Sequence, residues 1–369
     1  MKGFLNFNHI KGDFFGGVTA GIVALPLALA FGVQSGLGAV AGLYGAMVLG
    51  VFAALFGGTE TQVSGPTGPM TVVSAMVIAS AIEVSGSLQA GMGIIIASFF
   101  LAGGFQILYG LLKIGKYIKY IPYPVLSGFM TGIGVIIILF QIYPFLGHVS
   151  EKNTVDIFLN LGNPLSEINF YSVGLGFLTI LIIYVFPKIN KSVPSALVAL
   201  LVVTAVSYFC KFDVPVIGEI PQGIPSFYIG EMFAIDPSMY WTIFEFAIML
   251  SALGAIDSLL TSVIADNITK TKHNSNKELI GQGIGNIAAS LIGGLPGAGA
   301  TMRTVVNVNA GGKTRLSGLI HGLFLVSVLF GLGKFAALIP LSVLSGILIT
   351  VGIGIIDYKG LKHLKRVPR

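Results

Sequence analysis

Hydrophobic and polar positions divide this chain into long apolar runs separated by short polar connections. A membrane-spanning helix needs about 20 mostly apolar residues, and the runs predict twelve spans, of which the third and the tenth are short. A polar, proline-bearing connection from Phe212 to Tyr240 separates the first seven spans from the last five. The predicted spans lie near 14–33, 39–57, 68–83, 90–112, 122–146, 171–187, 192–209, 242–264, 278–294, 302–309, 316–333 and 338–356. The pattern indicates an all-α polytopic membrane protein.

The two short spans begin with similar broken sequences. Residues 65–73 read Gly-Pro-Thr-Gly-Pro-Met-Thr-Val-Val, and residues 297–306 read Gly-Ala-Gly-Ala-Thr-Met-Arg-Thr-Val-Val. Paired, interrupted hydrophobic segments at matching places in two halves of a membrane chain indicate a substrate site near the bilayer midplane. Because the first N–H groups of each half-helix have no partner within the helix, they can face an anion. The third and tenth spans are therefore predicted to meet at a midplane anion site.

The spacing of these spans also predicts an inverted repeat. If the eighth span is equivalent to the first, the tenth is equivalent to the third, and a repeat of seven spans inverts its second copy. The second copy contains only five spans, ending near residue 356. We therefore expect that the sequence is a fragment, or that the missing pair of helices comes from another polypeptide.

Composition supports the membrane assignment. Hydrophobic residues make up 54% of the chain and charged residues 10%, with a mean hydropathy of +0.90, whereas about a quarter of the residues in soluble domains are charged. The single cysteine, Cys210, excludes an internal disulfide and a cysteine-based metal site. No metal cluster, nucleophile–base pair or cofactor motif is visible, so we expect no enzyme and no cofactor.

The formal net charge of +6 reflects topology rather than nucleic-acid binding. With the N-terminus in the cytoplasm, 17 lysines and arginines lie inside and three outside, and Arg303 lies within the membrane. This asymmetry fixes the orientation. The basic segment from Lys359 to Arg366 fits the same rule, although contact with anionic lipid headgroups remains open. The predicted location is the inner (plasma) membrane.

Asp257 is the costly carboxylate of the eighth span. A bare charge there costs at least about 2.5 kcal/mol on insertion scales. Thr261 lies four residues later on the same helical face, so both side chains can point at one cation. Unwound backbone at the broken tenth span can supply further oxygens, which predicts a Na⁺ site formed by Asp257, Thr261, Gly299, Ala300 and Thr301. The alternative is that Asp257 simply pairs with Arg303.

Arg303 is the other expensive residue, at the start of the tenth span. Its guanidinium can donate two parallel hydrogen bonds to a carboxylate, sulfate or bicarbonate, or it can neutralise Asp257. Phe31 follows the Pro26 break in the first span and could wall the mouth of a cavity. His321 is expected to be a packing residue. Caps and loop contacts are expected for the polar residues around the connection between the eighth and ninth spans, namely Asp266, Asn267, His273, Asn274, Asn276 and Glu278.

Four stretches carry a family resemblance. Residues 24–33 read Ala-Leu-Pro-Leu-Ala-Leu-Ala-Phe-Gly-Val, residues 64–73 contain the first broken motif, residues 257–263 read Asp-Ser-Leu-Leu-Thr-Ser-Val, and residues 273–283 read His-Asn-Ser-Asn-Lys-Glu-Leu-Ile-Gly-Gln-Gly. Together they resemble the SulP sulfate-permease family, including its bicarbonate-transporting branch, over the full length of the chain.

The resemblance implies a fold of two inverted seven-helix repeats in which a core domain moves as an elevator against a gate domain. It assigns 1–120 and 242–335 to the core, 121–210 and 336–369 to the gate, and 211–241 to an extracellular connection. Helices 13 and 14 and a cytoplasmic STAS domain would be missing. It supports the Na⁺ ligands above and implies that the anion is bound by Thr67, Gly68, Phe31, Ala300 and Arg303.

The sequence and the resemblance together predict a sodium-coupled symporter of a small inorganic anion, with bicarbonate first. The expected partners are the anion, Na⁺ and membrane lipid, with a homodimer in the full-length form and no nucleic acid. The alternatives are a sulfate or dicarboxylate transporter or anion exchanger, which could be proton-coupled, and an anion channel. A nucleobase carrier is disfavoured because it would have a carboxylate where this chain has Arg303.

Overall fold

The fold consists of helices joined by short connections, with one pair of very short strands. The computed structural model describes residues 8–120, 123–149, 157, 159–160, 162–190, 193–218, 226–233 and 235–358. The elements are α1 (Ile10–Ser35), α2 (Ala39–Phe56), β1 (Ser64–Gly65), α3 (Gly68–Ser85), α4 (Leu88–Leu111), α5 (Tyr123–Phe140), α6 (Ile142–Leu146), α7 (Gly162–Ser166), α8 (Phe170–Ile189), α9 (Ser195–Phe209), α10 (Tyr240–Thr269), α11 (Ser275–Leu291), β2 (Ala298–Gly299), α12 (Thr301–Asn309), α13 (Arg315–Ala336) and α14 (Leu341–Ile355). Three 3-10 helices lie at Ile114–Tyr120, Ile229–Phe233 and Pro237–Met239.

The helices confirm the all-α prediction, and each predicted span contains a helix. The run 122–146 differs from the prediction because it forms two helices, α5 and α6, that meet at Gln141. Pro144 explains the break, since it has no N–H to donate to the carbonyl of Phe140. The eighth span is longer than predicted: α10 continues to Thr269, where Lys270 in the left-handed conformation ends it.

Length and hydropathy agree with a multi-pass membrane protein. In the part of the chain that the structure describes, six helices are long and apolar enough to cross a membrane, and four shorter apolar helices accompany them. The six correspond to α1, α2, α3, α4, α8 and α10. Of the two spans predicted to be short, α12 has nine residues and is not among the six, whereas α3 has 18 residues and is among them.

The chain divides into two compact units. Unit 1 comprises residues 1–118 and 219–335, and unit 2 comprises residues 119–218 and 336–369. Unit 1 therefore contains α1–α4 and α10–α13, and unit 2 contains α5–α9 and α14. The assignment of these units to a core and a gate remains a prediction.

Close helix packing builds unit 1 around α11, which lies against α2 and α4. A Cβ atom on Gly103 of α4 would lie 2.7 Å from the carbonyl oxygen of Gly283 on α11, and a Cβ on Gly283 would lie 2.5 Å from the carbonyl of Gly103. Only glycine on both helices permits this approach. Such small-residue contacts are typical of helices packed in membranes.

In unit 2, α14 packs against α5 and α8. Ser345 donates a hydrogen bond to the carbonyl oxygen of Gln141 over 2.9 Å, at the break between α5 and α6. Ser127 donates to Asp357 over 2.6 Å. Both bonds satisfy polar groups where the helical hydrogen-bond pattern is interrupted or ends.

Candidate functional site

The two broken segments of unit 1 meet as a short antiparallel strand pair. Ser64 of β1 lies opposite Gly299 of β2, and Gly65 lies opposite Ala298. The N–H of Ala300 extends the pairing by donating to the carbonyl of Val63 over 2.8 Å. A Cβ on Gly297 would overlap the carbonyl oxygen of Gly65, so glycine is required where the segments cross. The sequence prediction that these segments belong together is thus confirmed in the structure of unit 1.

A helix begins directly after each strand. Thr67 and Ala300 are the N-caps of α3 and α12 and both have extended backbones, but neither side chain caps its helix with a hydrogen bond. Gly68 is the buried first residue of α3. The first-turn N–H groups of both helices therefore remain free of side-chain caps, which leaves two partially positive helix ends close to the strand pair.

Arg303 links the two halves of the site. It is only 1% exposed, and its Nη2 donates a hydrogen bond to the carbonyl oxygen of Pro66 over 2.7 Å. Its Nε and Nη1 are buried without a hydrogen-bond partner. A Cβ on Gly65 would overlap Nη1, so this glycine makes room for the guanidinium. Two strong donors are therefore available to an additional acceptor.

Asp257 lies on α10 and has an unsatisfied carboxylate oxygen. The side chain keeps partial exposure, but its Oδ2 is buried without a hydrogen-bond partner. The positive charge of Arg303 attracts this carboxylate, but among the described residues the only salt bridge joins His273 to Asp266 over 2.7 Å. Asp257 and Arg303 thus form no direct ion pair in this structure, and the choice between a cation site and pairing with Arg303 stays a prediction.

Three oxygens converge next to α12. The Thr261 hydroxyl donates to the carbonyl of Gly299 over 2.9 Å and lies 2.8 Å from the Thr301 hydroxyl. Ser258 holds the same segment by accepting a hydrogen bond from the Gly299 N–H at 3.0 Å. Hydroxyl and carbonyl oxygens are the ligands that hard cations take in proteins. In the described ranges no group of three or more His, Cys, Asp or Glu side chains could hold a metal, so a cation here would rely on these oxygens and one carboxylate.

The structure restricts the predicted roles of Ala300 and Phe31. The N–H of Ala300 is bonded to Val63 and its carbonyl accepts the N–H of Thr304 at 2.9 Å, so this carbonyl has one lone pair left. Phe31 is 2% exposed and lies within the packed part of α1. This burial gives no support for the predicted position of Phe31 at an open cavity mouth, and its role at the site stays a prediction.

Sequence reasoning missed a buried network around Glu278. This residue was expected to be a cap or loop contact, but it is 1% exposed, and its carboxylate accepts hydrogen bonds from the N–H groups of Gly58 and Thr59 at 2.8 Å. Gln62 and Gln282 donate to its other oxygen, also at 2.8 Å. Gly58, Thr59 and Gln62 lie about 220 residues before Glu278 in the chain, so no local pattern reveals these three partners.

Other polar residues behave largely as expected. Asn274 caps α11 by accepting the Lys277 N–H at 3.1 Å, and His273 pairs with Asp266. His321 is fully buried, with both ring nitrogens unpartnered. Buried Asp13, which the sequence did not single out, caps α13 by accepting the N–H groups of Lys313 and Thr314 at 2.7 and 2.9 Å.

Almost the whole chain matches a known protein family. Residues 10–369 match the sulfate permease family. The chain belongs to the sulfate permease family. This confirms the resemblance noted in the sequence, and because the family and the relatives below are transporters by name, it also confirms that no enzyme is expected.

The curated relatives include bicarbonate and sulfate transporters. The chain is 47% identical to "Bicarbonate transporter BicA" of Picosynechococcus sp., with 98% of this chain and 65% of that protein covered. It is 49% identical to the Synechocystis sp. protein of the same name, with 98% and 64% covered. "Putative sulfate transporter YvdB" of Bacillus subtilis is 34% identical, with 100% and 68% covered. The chain thus spans about two thirds of the length of these relatives.

Solved structures support the fold. The transmembrane domain of the cyanobacterial bicarbonate transporter BicA matches with a TM-score of 0.92 and 46% identity, covering 97% of this chain and 92% of that one. The structure of SLC26A9 matches with a TM-score of 0.86 and 20% identity, covering 98% of this chain and 60% of that one. The second likeness concerns the fold alone. Together they confirm the predicted inverted-repeat helical fold.

Proposed function

We propose that this protein is a sodium-coupled symporter of a small inorganic anion and that bicarbonate is its substrate. The observation that carries the proposal is the buried Oδ2 of Asp257, which has no hydrogen-bond partner and belongs to the same helix as Thr261. A buried carboxylate oxygen without a partner is costly unless a cation or a proton compensates it. The neighbouring oxygens favour a cation.

Sodium would be bound by groups that already converge. The Thr261 hydroxyl lies within hydrogen-bond distance of both the Gly299 carbonyl and the Thr301 hydroxyl, and α10 carries the Asp257 charge one helical turn before Thr261. A small movement that replaces the hydroxyl hydrogen bonds by contacts to Na⁺ would give the ion several oxygens. The remaining lone pair of the Ala300 carbonyl is a further candidate.

The anion would be bound beside the cation, near Thr67 and Gly68. The Thr67 hydroxyl is buried without a hydrogen-bond partner, and Arg303 offers Nε and Nη1. In the absence of sodium the Asp257 carboxylate offsets this positive charge. Bound Na⁺ would neutralise the carboxylate and leave a site of net positive charge, formed by Arg303 and two helix N-termini. Cation and anion would therefore strengthen each other's binding, an effect typically worth about 1–3 kcal/mol.

The choice of anion is supported by the relatives. The two proteins with 47% and 49% identity are named bicarbonate transporters, and sulfate is the second candidate because the 34% identical Bacillus subtilis relative is named a putative sulfate transporter. The two free donor nitrogens of Arg303 also suit a divalent oxyanion.

The wider mechanism is part of the same proposal. Every predicted site residue lies in unit 1, so we assign the core role in an elevator movement to unit 1 and the gate role to unit 2. The 17 to 3 distribution of basic residues supports an N-terminus in the cytoplasm. Insertion in the inner membrane and a homodimer complete the proposal.

The test is uptake of labelled bicarbonate and labelled sulfate into proteoliposomes containing the purified protein. Each anion is measured with an inward sodium gradient, with an inward proton gradient, and with neither. The proposal expects saturable bicarbonate accumulation that requires sodium. Bicarbonate accumulation driven by a proton gradient alone would contradict the proposal. So would an anion flux that does not saturate and does not concentrate the anion above its equilibrium level. Sulfate uptake greater than bicarbonate uptake would show that sulfate, rather than bicarbonate, is the substrate.

A further inference from the structure

Helix α11 carries three polar side chains on one face. Glu278, Gln282 and Asn286 follow one another at intervals of four residues, the spacing that places side chains above one another on a helix. They are 1%, 0% and 1% exposed, respectively. We call these three residues the α11 polar stripe. Buried polar side chains at this depth are costly unless they are hydrogen-bonded, so their partners indicate what the stripe does.

The first two members hold the segment that leads into β1 and α3. Glu278 accepts the N–H groups of Gly58 and Thr59, and Gln282 donates to the Ser64 hydroxyl over 2.6 Å. Gln282 also donates to Glu278 over 2.8 Å, so the two side chains act together. Ser64 lies three residues before Thr67, the N-cap of α3.

The third member holds the segment that leads into β2 and α12. The Asn286 side chain accepts the Gly297 N–H at 2.9 Å and donates to the Gly297 carbonyl at 3.0 Å. It therefore replaces the backbone partner that Gly297 would have in a regular sheet or helix. Gln106 of α4 accepts a hydrogen bond from the same amide at 2.8 Å, which fixes the orientation of the side chain. Gly297 lies two residues before Gly299, whose carbonyl faces Thr261.

We propose that the α11 polar stripe positions the two halves of the site. Asn286 orients the Gly299 carbonyl toward the cation, and Gln282, together with Glu278, positions the segment that contains Thr67 for binding the anion. This inference rests on the proposed sodium-coupled function. Among the described residues the two side chains have different partners: Asn286 bonds to Gly297 and Gln106, whereas Gln282 bonds to Ser64 and Glu278. Because Ser64 and Gly299 are paired across the two strands, each side chain acts mainly, rather than solely, on its own half of the site.

A purely structural role would give a different result. If the stripe only stabilised the packing of α11, a substitution would lower yield and melting temperature while both substrate affinities of the surviving protein stayed unchanged. A positioning role shifts one affinity more than the other. The two affinities therefore distinguish the two roles, even where stability also falls.

The experiment compares Asn286→Ala with Gln282→Ala in proteoliposomes. It measures the sodium concentration for half-maximal bicarbonate uptake, and the bicarbonate KM at saturating sodium. Loss of a buried hydrogen bond of this kind corresponds to about a 3- to 10-fold change. Asn286→Ala is expected to raise the sodium requirement by that factor and to change the bicarbonate KM at saturating sodium less. Gln282→Ala is expected to raise the bicarbonate KM by that factor and to change the sodium requirement at saturating bicarbonate less.

Ser290→Ala is the matched control. Ser290 lies one turn beyond Asn286 and is fully buried, but its hydroxyl donates only to the Ile287 carbonyl of its own helix, at 2.7 Å. Gln106→Met serves as a second variant if Asn286→Ala does not fold, because it removes the acceptor of Asn286 and leaves Gly297 untouched. It is expected to raise the sodium requirement by a smaller factor.

The outcomes separate this inference from the proposed function. A wild-type protein without sodium-dependent uptake would overturn the proposed function. With sodium-dependent wild-type uptake, the inference is overturned if Asn286→Ala, or Gln106→Met in its place, has the wild-type sodium requirement. It is also overturned if Asn286→Ala and Gln282→Ala change both parameters to the same extent. The inference is supported if Asn286→Ala raises mainly the sodium requirement, Gln282→Ala raises mainly the bicarbonate KM, and Ser290→Ala has wild-type values of both.

Discussion

The guanidinium of Arg303 donates a hydrogen bond to the carbonyl oxygen of Pro66 over 2.7 Å, and the two residues belong to different halves of the chain. Pro66 lies between β1 and α3, and Arg303 lies in the first turn of α12. One charged side chain from the second half thus reaches the backbone that starts the helix of the first half. Its two remaining nitrogens are unpartnered, so this contact does not satisfy the guanidinium.

The first prediction concerns Arg303→Met. A methionine keeps much of the side-chain volume but removes the charge and the free donors. Loss of a charged hydrogen bond to the anion corresponds to about a tenfold or greater rise in the bicarbonate KM. The free energy of unfolding should change by less than about 1 kcal/mol, because removing a poorly paired buried charge offsets the lost bond to Pro66. Uptake kinetics and thermal unfolding check the two parts.

The result that would contradict the first prediction is a protein with wild-type uptake kinetics and a markedly lower melting temperature. Arg303 would then be a structural residue. Arg315→Met is a suitable control because Arg315, which donates to the Leu55 carbonyl at 3.2 Å, is a partly buried arginine that is not among the site residues.

The second prediction concerns Asp257→Asn and stability. Sodium should stabilise the wild-type protein by about 1.4 kcal/mol when its concentration is ten times the Kd, and the Asn variant should lose this effect because the carboxylate is gone. In sodium-free buffer the variant should be about as stable as the wild type, because removal of the buried Oδ2 charge, which has no hydrogen-bond partner, offsets the lost attraction to Arg303. Melting curves in sodium chloride and choline chloride measure both effects. A sodium-dependent shift retained in Asp257→Asn would exclude Asp257 as a ligand.

The third prediction concerns Thr261→Val. Valine keeps the shape but removes the hydroxyl that lies 2.9 Å from the Gly299 carbonyl and 2.8 Å from the Thr301 hydroxyl. The sodium concentration for half-maximal uptake should rise about tenfold. Thr269→Val, near the end of the same helix, is the control because its hydroxyl bonds to the Ala265 carbonyl and to Thr271 instead. Equal sodium requirements in both variants would argue against Thr261 as a ligand.

The fourth prediction concerns Gly297→Ala. The new Cβ would overlap the Gly65 carbonyl, so the strand pair must separate, and overpacking of this kind costs about 1–3 kcal/mol. We expect a lower melting temperature and loss of uptake. Gly104→Ala is the control because the structure places nothing within 4 Å of its new Cβ. A Gly297→Ala protein with normal stability and uptake would show that the crossing tolerates a side chain.

Local sequence patterns predicted the helices, the two broken segments and the pairing of Asp257 with Thr261 on one helical face. The broken runs at 65–73 and 297–306 indicated two half-helices, and Asp257 and Thr261 were paired because residues four apart share a helical face. The positioning contacts were not predictable in this way. Glu278 meets Gly58 across 220 residues, and Asp13 meets Lys313 across 300, so only the folded arrangement brings them together. The bond from Arg303 to the Pro66 carbonyl was likewise not predictable, because it joins the two halves of the chain.

The central claim is that sodium and the anion strengthen each other's binding at one site. Equilibrium titrations of the purified protein, followed by its thermal stability, measure the bicarbonate Kd without and with saturating sodium, and the sodium Kd without and with saturating bicarbonate. We predict that each ligand lowers the Kd of the other by the same factor, about 5- to 150-fold. A bicarbonate Kd that is the same with and without sodium would contradict the account.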